Sequence, residues 1–297
     1  MTISVSIVTA TFNRADTLMR LYRSLTHQSA SGFEWVVVDD GSSDNSKNLL
    51  NQLHAENREW IRVKSLPVNL GMNVARNVGS RMARGDWLLY VDSDDELCPD
   101  GLSVAQRYAD EAHEDLCALA FQTVRLPEMT REGYFALHEE WETRPILHED
   151  FLLKRNFDGV GADMLWLLRK RLFEEGYRFP TWLMGFGRFS FLRITREHPV
   201  LAVNHVIGNI HYDDPGVTHL CHERWKRDPR SQARAYEELM VRDREIWQAH
   251  PKRYARIAFS TAKLCYHARD VRRSLYWLVR AGCQYIHARH AATPAKQ

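Results

Sequence analysis

The sequence predicts an α/β fold, a mostly parallel sheet flanked by helices, followed by a helical C-terminal region. Three observations predict it. Across the first hundred residues, short apolar and β-branched runs alternate with segments of helical period, joined by short connections. Each strand-like run ends in a cluster of polar residues, so these clusters gather on one rim of a parallel sheet. From Trp225 onward the mixed pattern gives way to helical periodicity alone.

In order, Val5 to Val8 reads as the first strand, and Thr9 to Arg14 as the loop beyond it. A helix from about Ala15 to His27 carries Leu18, Leu21, Tyr22 and Leu25 on one face. Phe33 to Val38 is the second strand and ends in Asp39-Asp40-Gly41-Ser42-Ser43; Ser42 or Ser43 suits the cap of the helix through Leu49, Leu50 and Leu53. Ile61 to Val63 is a third, weaker strand, and Asn69-Leu70-Gly71 opens a helix bearing Val74, Val78 and Met82. Trp87 to Val91 is the fourth strand, Pro99 to His113 a helix and Cys117 to Val124 another strand. Beyond it the pattern weakens: Gly133 to Leu137 and Pro199 to Ile210 read as strands, and His148 to Arg155, Arg169 to Glu175 and Phe186 to Arg196 as helices. The tail predicts helices over roughly Ser231 to His250, Pro251 to Ala268 and Val271 to Ala281.

The 297 residues suffice for one large domain or two unequal ones, with 44% hydrophobic and 26% charged residues, ordinary for a globular chain. A net charge of +2 argues against general affinity for polyanions, and the aromatics are not interleaved as a stacking platform, so no nucleic acid is expected as a partner. From Lys252 to Gln297, however, there are ten Lys/Arg and one acid, Asp270. That basic tail reads either as a packed helical hairpin with solvated arginines or as a surface lying on an anionic membrane. Five scattered cysteines (Cys98, Cys117, Cys221, Cys265, Cys283) fit a reducing cytoplasm better than a disulfide framework. No signal peptide and no membrane span are expected from the apolar runs.

The chemistry concentrates after Trp87-Leu88-Leu89-Tyr90-Val91, where Asp92, Asp94 and Asp95 fall within four residues at a strand's carboxyl end. Carboxylates this close repel one another unless a cation or hydrogen-bond donors offset them, and a hard divalent ion, Mg²⁺ or Mn²⁺, suits such oxygens. An exposed acidic turn capping the next helix is the competing reading.

Four motifs in order carry a resemblance to family 2 glycosyltransferases, which have the Rossmann-like GT-A fold. Val5 to Arg14 resembles that family's opening strand and loop, and Val37-Val38-Asp39-Asp40-Gly41-Ser42-Ser43-Asp44 its second strand end. Asn69-Leu70-Gly71 with Ala75-Arg76-Asn77-Val78-Gly79 resembles its third motif, and Asp92-Ser93-Asp94-Asp95 its D-x-D metal motif. The resemblance covers about residues 3–110 and is loose beyond. It implies a nucleoside-diphosphate sugar as donor, a UDP-sugar by preference, with Ala10, Thr11, Phe12, Arg14, Asp40, Gly71, Arg76, Asp92 and Ser93 around it. In this reading Asp40 accepts from the base imide, Phe12 covers the base or ribose, and Arg14 and Arg76 reach diphosphate oxygens. Asp94 holds the metal, Asp92 is shared between ribose and metal, and His211 completes the shell, against the alternative of a solvent-facing loop histidine. Asp39 reads as a strand-end cap, Asn13 as either a turn former or a contact, and Gly71 and Gly79 as packing or turn glycines as readily as ligand contacts.

The sequence departs from the family at the general base. Inverting members place a Glu-Asp pair at the start of a helix ending in an arginine; here the matching stretch, Met184 to Arg193, has Phe186-Gly187 there, and no acid lies between Thr181 and Arg196. Replacement candidates are Asp163, Asp213 and Asp214, each also readable as structural, while the acids of His148-Glu149-Asp150 suit a helix start. Cys221 to Trp225 lacks the glutamine of the Q-x-x-R-W motif of processive members, so no polymerase is inferred.

The expectation is a cytoplasmic glycosyltransferase, with a peripheral location at the inner face of the plasma membrane under the second reading of the tail. Residues 1–220 form the GT-A domain, with 1–110 as the nucleotide-sugar half and 111–220 as the acceptor half, and residues 221–297 form a basic helical region. The acceptor implied is a surface glycan or lipid-linked glycan, and the expected stereochemistry is inverting. A non-catalytic donor-binding or scaffold protein of a glycan assembly complex is the alternative. An NAD-dependent oxidoreductase is disfavoured, because the first strand leads into Thr-Ala-Thr-Phe-Asn-Arg with no Gly-x-Gly-x-x-Gly.

Overall fold

The computed structural model of the chain describes residues 3–126, 147–150, 152, 164–183, 187–211 and 228–291. Cα packing divides the chain into two compact units, residues 1–181 with 190–216, and residues 182–189 with 217–297.

The first unit is built on an eight-stranded sheet in the order β3-β2-β1-β4-β7-β6-β8-β5. Strands β1 (Val5–Thr11), β2 (Phe33–Asp39), β3 (Ile61–Ser65) and β4 (Trp87–Tyr90) run parallel to one another, in register Val5 with Phe33 and Val5 with Trp87. Helices α1 (Ala15–Thr26), α2 (Ser46–Glu56) and α3 (Met72–Met82) are the crossovers. Leu18, Leu21 and Leu25 of α1 are buried, as their spacing predicts. Tyr22 stacks on Trp35 and Trp60, while the Trp35 indole N–H donates to Thr9 Oγ1 at 3.0 Å. Glu34 is fully buried near the start of β2, and its carboxylate accepts from Ser6 Oγ and from the Arg84 backbone and guanidinium. A buried charge is tolerated when its oxygens are satisfied in this way.

Past β4 the sheet becomes mixed rather than parallel. β7 (Met164–Arg169) pairs antiparallel with β4 and with β6 (Ala118–Leu126), which runs parallel to β8 (Val200–His211) with a bulge between Phe121 and Thr123. The sequence reading contained no strand at Met164–Arg169. The run Met-Leu-Trp-Leu-Leu is buried along its length and so lacks the alternation that marks a strand. The two-residue β5 (Glu96–Leu97) pairs antiparallel with Asn209 and Gly208 of β8. Helix α4 (Gly101–Glu111), the short α5 (Arg171–Glu174) and α6 (Gly187–Glu197) follow the expected positions. The expected cap of α2 is corrected: its N-cap is Asn45, and Ser42 and Ser43 serve the preceding loop instead. The expected strand at 133–137 lies outside the described residues, and so does most of the helix expected at 148–155 beyond a turn at His148–Asp150.

In the second unit the helix expected over Ser231 to His250 is two helices, α7 (Pro229–Arg242) and α8 (Arg244–Ala249). The break is held by Trp247, whose buried indole N–H takes the Leu239 carbonyl at the end of α7. Asp228 caps α7 by accepting from Ser231 N, with Pro229 in the first turn. α9 (Pro251–His267) and α10 (Val271–Ala291) form an antiparallel hairpin, α10 running past the expected end at Ala281. Among the described residues no helix is long and apolar enough to cross a membrane.

Candidate donor site at the carboxyl rim of the sheet

Parallel pairing brings the carboxyl ends of β1, β2 and β4 to one rim, so the loops after Thr11, Asp39 and Tyr90 meet there. The first two loops are latched together. Asn13, at a left-handed φ of 52°, accepts from Ser43 N at 2.8 Å through Oδ1, and its own N–H donates to Ser42 Oγ at 2.9 Å. Asparagine tolerates this conformation because its short amide bonds locally. Arg14 N donates to Ser46 Oγ, and Ala15 N to Asp44 Oδ2. Burial opposes the charged form of Asp44, but hydrogen bonds from Ser46 and Ala15 outweigh it and hold the carboxyl below its usual range. Asn13 is therefore a clamp between loops.

The two adjacent acids of the second loop have different environments. Asp39 accepts from Ser42 N through Oδ1 at 3.0 Å, while its buried Oδ2 has no hydrogen-bond partner. Asp40 accepts from Leu70 N and Gly71 N, each at 2.8 Å, one per oxygen, and is 2% exposed. One backbone donor on each oxygen fixes the orientation of the Asp40 carboxylate. The same bonds bring Asn69-Leu70-Gly71 against the second loop. Gly41 makes this approach possible: its φ is 74°, and a Cβ there would lie 2.5 Å from the Val68 carbonyl carbon. Val68 and Leu70 stand exposed beside Asp40, an apolar lip that the sequence reading did not single out. Ala10 and Phe12 are partly buried, and buried Thr11 keeps Oγ1 without a partner.

Arg76 links the third motif to the fourth. It is 6% exposed on α3, and one terminal nitrogen (NH2) donates to Asp92 Oδ1 at 2.7 Å. Its guanidinium carbon lies 5.9 Å from the centre of the Phe179 ring, and its other terminal nitrogen (NH1) is buried with no hydrogen-bond partner. Phe179 is held by Asn77, which donates to its carbonyl and accepts from its N–H, both at 2.9 Å; Asn73 donates to the Pro180 carbonyl. These asparagines and Phe179 were not among the expected site residues. Asn77 belongs to the third motif, but its partner is 102 residues away and nothing local marks it.

Arg14 Nε approaches Asp94 Oδ2 at 3.7 Å. Burial and the neighbouring Asp92 charge push the Asp94 carboxyl above its usual range, with Arg14 opposing. Ser93 is buried, and its carbonyl accepts from Thr17 Oγ1. His211, at the end of β8, donates its backbone N–H to Asp95 Oδ1 at 3.3 Å, and its imidazole Nε2 lies 3.4 Å from Glu96 Oε1. The expected metal-shell histidine is thus beside the acidic turn, and these contacts are to Asp95 and Glu96. Among the described residues no cluster of three or more His, Cys, Asp or Glu forms a ready-made metal shell. Asp92 and Asp94 nonetheless fit a divalent cation of the kind held by one or two carboxylates plus substrate phosphates, since Asp94 is a repelled, partly desolvated carboxylate. The unpartnered Arg76 nitrogen suits an anion at the same rim.

Of the base candidates, Asp163, Asp213 and Asp214 lie outside the described residues. Helix α6 carries no acid in its first turn and contains Arg193. His148 Nδ1 lies 2.8 Å from Thr195 Oγ1 of α6.

The chain matches the family model described as glycosyl transferase family 2 over residues 6–176, more than half its length. An uncharacterized glycosyltransferase of Haemophilus influenzae is 28% identical over 202 residues, 66% of this chain and 63% of that protein. The poly(ribitol-phosphate) beta-N-acetylglucosaminyltransferase TarP of Staphylococcus aureus is 31% identical over 115 residues, 38% of this chain and 35% of that one. The matched stretch spans less than two thirds of either relative. Among solved structures, residues 1–349 of S. aureus TarS in complex with UDP superpose with a TM-score of 0.60 at 16% identity, covering 93% of this chain and 90% of that one. The mannosyltransferase PcManGT of Pyrobaculum calidifontis, in complex with GDP-Man and Mn²⁺, superposes with a TM-score of 0.62 at 15% identity, covering 99% and 77%. At these identities the likeness is one of fold.

Proposed function

Because this chain belongs to glycosyl transferase family 2, we propose that it transfers a sugar from a nucleoside-diphosphate sugar to a hydroxyl of a surface glycan or lipid-linked glycan. One observation carries the reading: Asp40, Arg76, Asp92 and Asp94 share one rim, where Arg76 keeps a buried, unpartnered N–H. Asp40, oriented by two backbone N–H groups, accepts the imide of the base, with Val68 and Leu70 as its apolar lip. Thr11 and Phe12 border the base and ribose; Arg76 and Arg14 bind the diphosphate. A UDP-sugar is the favoured donor, supported by the UDP complex of TarS, and an N-acetylhexosamine or hexose is the favoured sugar. Asp92 and Asp94, with His211 nearby, would hold Mn²⁺ or Mg²⁺. Bound there, the ion would supply positive charge to offset that developing on the leaving diphosphate. Arg14 and Arg76, which pair with those carboxylates, would then be freed to face the phosphates.

Inversion requires a base to take the acceptor proton. Asp163, Asp213 and Asp214 remain the proposed sources. A second reading, a donor-binding protein without transfer, is favoured by the absence of an acid in the first turn of α6. The basic C-terminal unit is proposed to contact an anionic membrane from the cytoplasmic side, with no role for nucleic acid.

The test is a thermal-shift panel of UDP, GDP and CDP and their sugars, with and without Mn²⁺, on wild type and Asp94→Ala. A ligand binding only the folded state raises the melting temperature by mass action. A metal-dependent shift for one nucleotide, lost in Asp94→Ala, is expected. No shift for any nucleotide on folded protein would overturn the donor site. Nucleotide binding without release of free nucleotide, whatever acceptor is added, would favour the second reading.

A further inference from the structure

We propose that the helical unit carries a docking site for anionic phospholipid: an arginine-lined cavity that takes a phosphate headgroup, continuous with an apolar face of α10 that enters the headgroup layer. The inference rests on the membrane reading above and names the surface responsible.

The cavity, of about 630 Å³, lies where α7, α9 and the start of α10 meet, and Arg230, Arg269, Arg272 and Arg273 line it. Arg273 is spoken for by Glu237 and Asp270. Asp270, the one acid lining the cavity, also accepts from Arg273 N at 3.1 Å. Among the described residues no carboxylate pairs with Arg230, Arg269 or Arg272. Burial pushes the Cys265 thiol up to about 11, so it is a neutral wall of the cavity.

Arg269 occupies an unusual position. The Asp270 N–H bonds the Cys265 carbonyl and the Arg269 N–H the Tyr266 carbonyl, which is the Schellman ending of a helix. The residue at its left-handed position is ordinarily glycine, yet Arg269 takes it, at a φ of 61°. The turn thereby places a guanidinium on the cavity.

Val271 lines the cavity and also begins an exposed stripe on α10. Val271, Leu275, Leu278 and Val279 recur at helical spacing, and Leu275 and Val279 are 57% and 65% exposed. A separate face of the helix, with Ser274, Trp277 and Ala281, is buried. α10 contains no Asp or Glu. Unpaired cations beside an apolar face match an anionic headgroup layer over acyl chains, which a polar protein surface or free phosphate does not reproduce.

The test measures co-sedimentation of the full chain with phosphatidylcholine vesicles, with and without phosphatidylglycerol. Wild type is expected to partition only onto the anionic vesicles, less so at high salt. Arg230→Ala, Arg269→Ala and Arg272→Ala combined should lower partitioning roughly a hundredfold, and Leu275→Asp with Val279→Asp more than about tenfold. Both variants change exposed side chains and should keep the wild-type circular dichroism, while Asp94→Ala should bind vesicles like wild type. No wild-type binding would overturn this surface and the membrane reading together. Variants that bind like wild type would overturn this surface alone. Equal binding to neutral vesicles, or displacement by inorganic phosphate at constant ionic strength, would overturn the headgroup role of the cavity. Self-association abolished by Leu275→Asp with Val279→Asp, without vesicle binding, would assign the face to a second copy of the chain and overturn the proposal.

Discussion

Replacing Asp40 by asparagine keeps the shape of the side chain and removes its ability to accept on both sides. The carboxylate takes the Leu70 and Gly71 N–H groups, one on each oxygen at 2.8 Å, almost wholly out of water. Hydrogen bonds to a charged acceptor contribute about 1.5–3 kcal/mol each. The asparagine oxygen can keep one of them, but its amide N–H₂ then faces the other backbone donor. An unpaired buried donor costs about 1–3 kcal/mol, so Asp40→Asn should lose about 2–4 kcal/mol. For a unit of this size each kcal/mol lowers the melting temperature by roughly 2–4 °C. Asp39→Asn is the internal control: its Oδ1 can keep the Ser42 N–H, and the amide group replaces an oxygen that has no partner. Its cost should stay under about 1 kcal/mol. Urea unfolding followed by tryptophan fluorescence measures both, as a shift in midpoint at unchanged slope. If Asp40→Asn stays within about 0.5 kcal/mol of wild type, or if the two variants lose stability equally, the assignment of Asp40 as the organiser of this rim is wrong.

Three further predictions follow from the same geometry. Gly41→Ala meets both a left-handed φ and the Val68 backbone and should destabilise by about 2 kcal/mol or more, whereas Gly176→Ala, at a φ of 107° but with nothing within 4 Å of the added carbon, should lose only about 1 kcal/mol; equal losses in urea unfolding would refute the clash. Arg76→Lys cannot both pair with Asp92 and offer a second fixed N–H, so calorimetric affinity for UDP with Mn²⁺ should fall roughly 10–100-fold; unchanged affinity would remove Arg76 from the site. Burial and Asp92 raise the Asp94 carboxyl, so the folded protein keeps this proton to a higher pH than the unfolded chain does. Its contribution to stability therefore falls as pH rises from the ordinary carboxylate value to the raised one, while Mn²⁺ affinity, which needs the ionised form, rises over that window; affinity that does not vary with pH there, or that varies equally in Asp94→Asn, would contradict this.

The sequence by itself determined the alternation of strand and helix over the first hundred residues, since burial of one helix face or a whole strand leaves a period that can be read directly. It placed Asp40, Asp92 and Asp94 on the rim, because parallel pairing forces the polar ends of successive strands together, while Arg76 reaches that rim from α3 only through its bond to Asp92. It also marked the helices of the basic tail, though not the break at Asp243, which depends on where the Trp247 indole finds a carbonyl. Tertiary structure alone decided the rest. β7 enters between β4 and β6 against the parallel direction, and its apolar run from Met164 to Leu168 records neither partner nor orientation. Which of the adjacent acids is tied down, and which keeps an unpartnered oxygen, is set by the chain at Leu70 and Gly71. Phe179 supports Arg76 through Asn77 across 102 positions of sequence. Such pairings are selected by proximity in the folded state, and proximity between distant segments leaves no period in the local sequence for either segment to reveal.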